Sequence, residues 1–139
     1  MSYALREHTA DVAVEATGPT LSALFEAVAA GLTAASCESV PATGERFGIT
    51  VRAESREALL FEYLDRLIYE RDVRLVLPAD HRCAVSGPDG DADSWRVEAT
   101  ARGVPFGDVA AREIKAVTYS EMTVERRDDE WYAYVVFDV

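Results

Sequence analysis

The last twenty-seven residues, Glu113 to Val139, constrain this chain most. They read E-I-K-A-V-T-Y-S-E-M-T-V-E-R-R-D-D-E-W-Y-A-Y-V-V-F-D-V, a strand, a charged turn and a second strand. Trp131 to Phe137 is aromatic and β-branched, which suits a buried sheet strand. Asp138 follows, and Val139 supplies the chain-terminal carboxylate. Two negative charges therefore sit at the end of a strand central enough to be rigid. Like charges held together raise each other's pKa unless a cation neutralises them. Fraying is the default for termini, but a frayed tail rarely carries so many β-formers.

A chain of 139 residues suits one compact domain spanning residues 1–139. A domain near this length buries roughly 70% of its unfolded surface, so it needs no staples. No apolar run approaches the roughly 20 residues of a membrane span, and no basic-then-apolar segment opens the chain. Both observations point to a cytoplasmic protein with no membrane partner. Cys37 and Cys83 form no C-x-x-C pair, which fits a reducing cytosol and leaves at most one bridge between them. The net charge of −11 repels a phosphate backbone and makes the chain a poor binder of RNA or DNA by itself. Its basic residues are thirteen Arg and a single Lys, Lys115. High acid with so little lysine reads as adaptation to a salty cytoplasm, where screening makes a large net charge tolerable. Lys115 lies inside the closing stretch, so it is either a leftover surface residue or a site that needs an ammonium rather than a guanidinium.

Periodicity supplies the remaining elements. Tyr3 to Glu7 is a short opening strand, and Val12, Val14 and Ala16 alternate as a half-buried strand. Thr20 can cap a helix whose face is Leu21, Leu24, Phe25, Val28 and Leu32, ending about Ala34. After a loop from Ser36 to Gly44, Phe47, Ile49, Val51 and Ala53 alternate as a strand. Ser55 can cap a second helix with the stripe Leu59, Leu60, Tyr63, Leu64, Leu67 and Ile68, ending near Arg71. Val73, Leu75 and Leu77 predict a further strand stopped by Pro78, Arg82 to Ser86 another, and Trp95 to Ala101 one more before the closing hairpin. Asp89, Asp91 and Asp93 resemble the start of a calcium loop, but glycine follows Asp89 at once and no glutamate stands at the twelfth position. They read as a solvated turn. The pattern predicts an α+β fold, with two helices packed on a mostly antiparallel β-sheet in a single two-layer domain.

Little here resembles a common catalytic motif. No nucleophile-elbow glycines surround a serine, and there is no phosphate-binding glycine loop. His8 and His81 lie far apart, and two His with two Cys match no zinc spacing. Oxygen ligands remain. Asp11 precedes one strand, while Asp138 and the Val139 carboxylate end another. If the strands lie side by side, three carboxylates converge, and hard oxygen donors prefer Ca²⁺ or Mg²⁺ over zinc or copper.

Two segments resemble a known family. His8-Thr9-Ala10-Asp11-Val12, and Glu113-Ile114-Lys115-Ala116-Val117-Thr118-Tyr119 with the closing Val136-Phe137-Asp138-Val139, are similar to the archeases. The resemblance covers the whole chain. It implies a small accessory protein, not an enzyme, that activates the RtcB-type tRNA-splicing ligase in tRNA processing. The activation consists of promoting guanylylation and turnover of the ligase, and tRNA is met only indirectly, through the ligase. It implies a metal site for Ca²⁺ (Mg²⁺ or Mn²⁺ sharing the same chemistry) at Asp11, Asp138 and Val139, no catalytic residue, and functional roles for Lys115 and His8. Two departures stand out: Ser120 replaces a usual histidine, and Ala110 and Ala111 occupy a place where the family often carries Arg-His. Two other readings stay open: a chaperone-like modulator of a tRNA-modifying enzyme, and a small metal-dependent phosphoesterase.

Overall fold

The computed structural model describes residues 2–7, 11–88 and 94–139, with side chains at all of these except 6 and 7. His8 and the Asp89, Asp91 and Asp93 turn lie outside the described residues. In chain order the elements are β1 (Ser2–Glu7), β2 (Asp11–Gly18), α1 (Leu21–Ser36), β3 (Glu45–Ala53), α2 (Arg56–Arg74), β4 (Val76–Ser86), β5 (Trp95–Pro105), β6 (Ala116–Arg127) and β7 (Glu130–Asp138). This is the α+β class that the periodicity predicts. The strands divide between two antiparallel sheets rather than one, with orders β1-β2-β7-β6 and β3-β5-β4. Alternation tells which face of a strand is buried, not which strand lies beside it, so the division was not in the pattern.

Each helix touches both sheets: α1 packs on β1, β2, β7 and β4, and α2 on β6, β3, β4 and β5. A main apolar core results, with Phe25, Tyr63 and Phe137 its largest fully buried side chains, beside a small second cluster of Leu77, Ala79 and Val104. Local chemistry starts both helices as expected. The Thr20 and Ser55 hydroxyls each accept the N–H three residues on, both at 3.0 Å. Cys37 and Cys83 are free. The Cys83 thiol donates to the Tyr63 hydroxyl, and burial pushes its pKa up to about 12.

The strand expected over Val73, Leu75 and Leu77 is a correction. α2 continues to Arg74, because Glu70 is buried against Arg66 at 3.0 Å and Arg74 at 2.5 Å, two i,i+4 ion pairs that carry the last turns. Leu75 then caps the helix at φ 57°, and β4 begins at Val76. Pro78 does not stop this strand. β4 is an edge strand, where a missing N–H is tolerated.

The N-terminal half of the sheet is tightly seated. A Cβ on Gly31 of α1 would lie 2.5 Å from Cγ1 of Val14, which is itself fully buried. Gly31→Ala should therefore destabilise the fold by about 1–2 kcal/mol, although alanine is the better helix former. Denaturant unfolding checks this, and a gain in stability would show that α1 can lift off β2.

β4 carries a bulge between Ala79 and Arg82, with Asp80 at φ 50°. The bulge turns His81 towards α1, where Nε2 lies 2.7 Å from the Thr33 hydroxyl. The same hydroxyl has the Pro78 carbonyl at 2.8 Å and the Ala29 carbonyl at 3.2 Å as acceptors. Nδ1 is closed off from solvent, though the residue as a whole is partly exposed, and it has no hydrogen-bond partner among the described residues. Burial lowers the His81 pKa to about 4; Arg46 adds to the shift and Asp80 opposes it. Between the ordinary value of about 6.5 and that value the unfolded chain binds a proton here that the folded chain does not. Stability should fall as pH drops through this window, by on the order of 2–3 kcal/mol from this group. Thermal melts of wild type and His81→Gln from pH 7 to pH 4 isolate the effect. The variant should lose less, and parallel curves would exclude it.

Candidate functional site

The pairing of β2 with β7 sets Asp11 directly opposite Asp138. Ala116 of β6 flanks Asp138 on the other side, so β7 is an interior strand, as its composition predicts. Directly opposed residues in an antiparallel pair hold their Cβ atoms roughly 5 Å apart, and like charges there repel. Two carboxylates thus face the same patch beyond the strand ends. Oδ1 of Asp11 is buried and accepts no hydrogen bond among the described residues. A buried carboxylate oxygen without a donor is costly, and a cation is the ordinary remedy.

The surrounding chain holds this corner still. The Lys115 N–H donates to the Asp138 carbonyl at 2.8 Å. Just before it, the Ile114 carbonyl accepts from Nη1 of Arg71 at 2.5 Å, and the Ile114 side chain is fully buried. Arg112 is tied to the end of α1, its N–H to the Ser36 carbonyl at 2.8 Å and its Nε to the Ala35 carbonyl at 2.9 Å. The Val139 side chain packs on the main core. The clamping roles of Arg71 and Arg112 were not read from sequence. Arg71 looked like an ordinary helix-ending cation, and nothing in the pattern says that it is buried.

Of the residues singled out in the sequence, Asp11 and Asp138 are brought together, and Val139 follows directly. The Lys115 backbone joins them, while its side chain is exposed and makes no ion pair among the described residues. His8 lies outside the described residues. Among the described residues no three His, Cys, Asp or Glu side chains form a metal-type cluster. Asp11 and Asp138 are the two carboxylates at this corner, and Val139 follows Asp138 directly. The available donors are all hard oxygens, the kind that Ca²⁺, Mg²⁺ and Mn²⁺ take. Ser120 is exposed where β6 leaves its pairing with β7 between Thr118 and Thr123. Its neighbour Tyr119 stacks on Phe61 with ring centroids 4.0 Å apart.

Comparison with known proteins agrees with this architecture. The chain matches the model of the archease protein family over residues 3–139. It is 32% identical over 139 residues to the protein archease of Pyrococcus furiosus, covering 96% of this chain and 95% of that one. With the protein archease of Archaeoglobus fulgidus it shares 31% identity over the full length of both. Among solved structures it is similar to protein 1598 of Methanobacterium thermoautotrophicum, with a TM-score of 0.82, 26% identity and coverage of 99% of this chain and 98% of that one. An archease of Thermotoga maritima, described as a possible chaperone, has the same fold at a TM-score of 0.64 and 24% identity, over 96% of this chain and 94% of its own. With its whole length matched in sequence and in fold, the chain belongs to the archease family.

Proposed function

We propose that this archease is a metal-dependent activator of an RtcB-type RNA ligase and has no catalytic group of its own. The observation that carries the reading is the buried, unpartnered Asp11 oxygen set opposite Asp138 at the end of an interior strand. Asp11, Asp138 and the Val139 carboxylate would hold Ca²⁺, with Mg²⁺ and Mn²⁺ sharing the donor chemistry. When bound, such an ion supplies a fixed positive charge that orders and neutralises phosphate oxygens. The exposed Lys115 ammonium, anchored through its backbone to Asp138, adds a second positive group beside it. His8 precedes Asp11 by three residues in the sequence and shares the functional role in this reading. The acidic surface favours docking to a basic rim on the ligase, which speeds association. In this reading tRNA meets the complex through the ligase, and guanylylation of the ligase is the step promoted.

A guanylylation time course with the partner ligase should show that Asp138→Ala loses the stimulation that wild type provides. Full stimulation by the variant refutes the role given to the carboxylates. If the variant fails to stimulate yet still protects a client protein from thermal aggregation, the carboxylates serve the ligase and not a chaperone activity. Calcium titration of the untagged chain, beside a form with several residues appended after Val139, tests the third ligand. The extension should weaken binding by at least about tenfold, as loss of support around a metal ligand does. Equal affinities would remove Val139 from the site.

A further inference from the structure

The second sheet has one face turned away from the core. Phe47, Ile49, Val97 and Ala99 point inward, so the alternate residues of β3 and β5 share the outer side. There Arg46 lies opposite Arg102, and Arg52 opposite Arg96. Arg82 of β4 joins them across Thr100. Five of the chain's fourteen cations, all arginine, therefore stand on one sheet face. Among the described residues the acids of this face are Glu98 and Asp80, which leaves a surplus of three positive charges on a chain of net −11.

Directly opposed like charges destabilise a sheet, yet two Arg–Arg pairs are kept here. Partners inside the protein neutralise only part of the set. Arg46 pairs with Asp80 at 2.6 Å, and Arg96 pairs with Glu98. Arg102 donates to the carbonyl oxygens of Pro41 and Thr43, which fix its direction and leave its charge. Arg52 and Arg82 make no hydrogen bond or ion pair among the described residues. At the centre of the face the small residues Gly48, Thr50, Ala84 and Thr100, with Arg82 and Glu98, line a shallow trough of 420 Å³. From Arg46 to Arg52 the face spans about 20 Å, at ~3.3 Å per residue.

We propose that this arginine face binds the phosphodiester backbone of an RNA strand. The guanidinium fork matches phosphate oxygens two at a time. A protein partner would need apolar anchors, and the exposed large hydrophobics Tyr3, Tyr69, Val73, Leu75, Phe106 and Tyr119 all lie off this face. A phosphate chain needs none. Among the described residues the face also has no exposed aromatic ring for bases to stack on, so binding is blind to sequence. Net charge does not forbid it. At about 0.15 M salt the screening length is about 8 Å, and shorter at higher salt, so a strand lying on a 20 Å face feels the local arginines more than the distant acids. Choosing RNA over another polyanion rests on the ligase reading above. The face then holds the RNA that the ligase works on, a direct contact where net charge alone predicts only an indirect one.

Fluorescence anisotropy with labelled uridine and cytidine oligonucleotides of about twenty residues, at three potassium chloride concentrations, tests the isolated chain. Wild type should bind both alike. The double variant Arg52→Glu/Arg82→Glu, checked for fold by circular dichroism, should bind at least about tenfold more weakly. Its log-affinity against log-salt slope should be smaller by about 0.7 for each phosphate that the variant no longer neutralises. Arg126→Glu, on the other sheet, should bind like wild type. Equal binding by wild type and the double variant overturns the proposal. So does a wild type that ignores RNA, whether or not it captures a poly-glutamate peptide instead. The assay contains no ligase, so a negative result here leaves the guanylylation reading standing, and a failed guanylylation test leaves RNA binding standing.

Discussion

The pairing of β2 with β7 is the contact on which everything else depends. It runs over eight residue pairs, from Asp11 against Asp138 to Gly18 against Trp131. One face of the pair is core, with Val12, Val14, Ala133, Val135 and Phe137 all fully buried. That burial fixes the register, because a slip of one residue would turn every one of these side chains to the other face. The same register brings the two aspartates together at the strand ends. A hydrophobic requirement on one face of the sheet thus imposes an electrostatic problem on the other.

Rigidity around that corner has a traceable source. β7 is flanked by β2 and β6, and the segment before β6 is tied to the ends of both helices through Arg112 and Arg71. A carboxylate pair on a frayed tail would rotate apart and solvate. Held at both sides, the strand ends keep the two carboxylates opposite each other. Lys115 gains its place from the same bonds, although its own side chain faces solvent.

Charge is distributed unevenly over the two sheets. The first carries the opposed carboxylates, and the second carries arginines that face one another across β3 and β5. A single net charge of −11 averages these away. Summing the chain led to the expectation of a surface hostile to phosphate, whereas the register of one sheet gathers cations locally. Within a screening length the local set decides.

Much was legible in the residues themselves. The helix starts at Thr20 and Ser55, the half-buried alternation of β2, β3 and β5 and the closing hairpin all follow from local chemistry, which acts over a few residues and is written in order along the chain. Val73 and Leu75 misled for the same reason: three alternating apolar residues look alike whether they line a strand or end a helix in solvent. Asp11 and Asp138 were visible as acids at strand ends, but 127 positions separate them, and only the β2–β7 register decides that they meet. The burial of Arg71, the division into two sheets and the sharing of one face by Arg46, Arg52, Arg82, Arg96 and Arg102 were likewise settled by tertiary structure. Alternation specifies a side chain's face and not its neighbour across the ladder, and neighbours are what bring charges together.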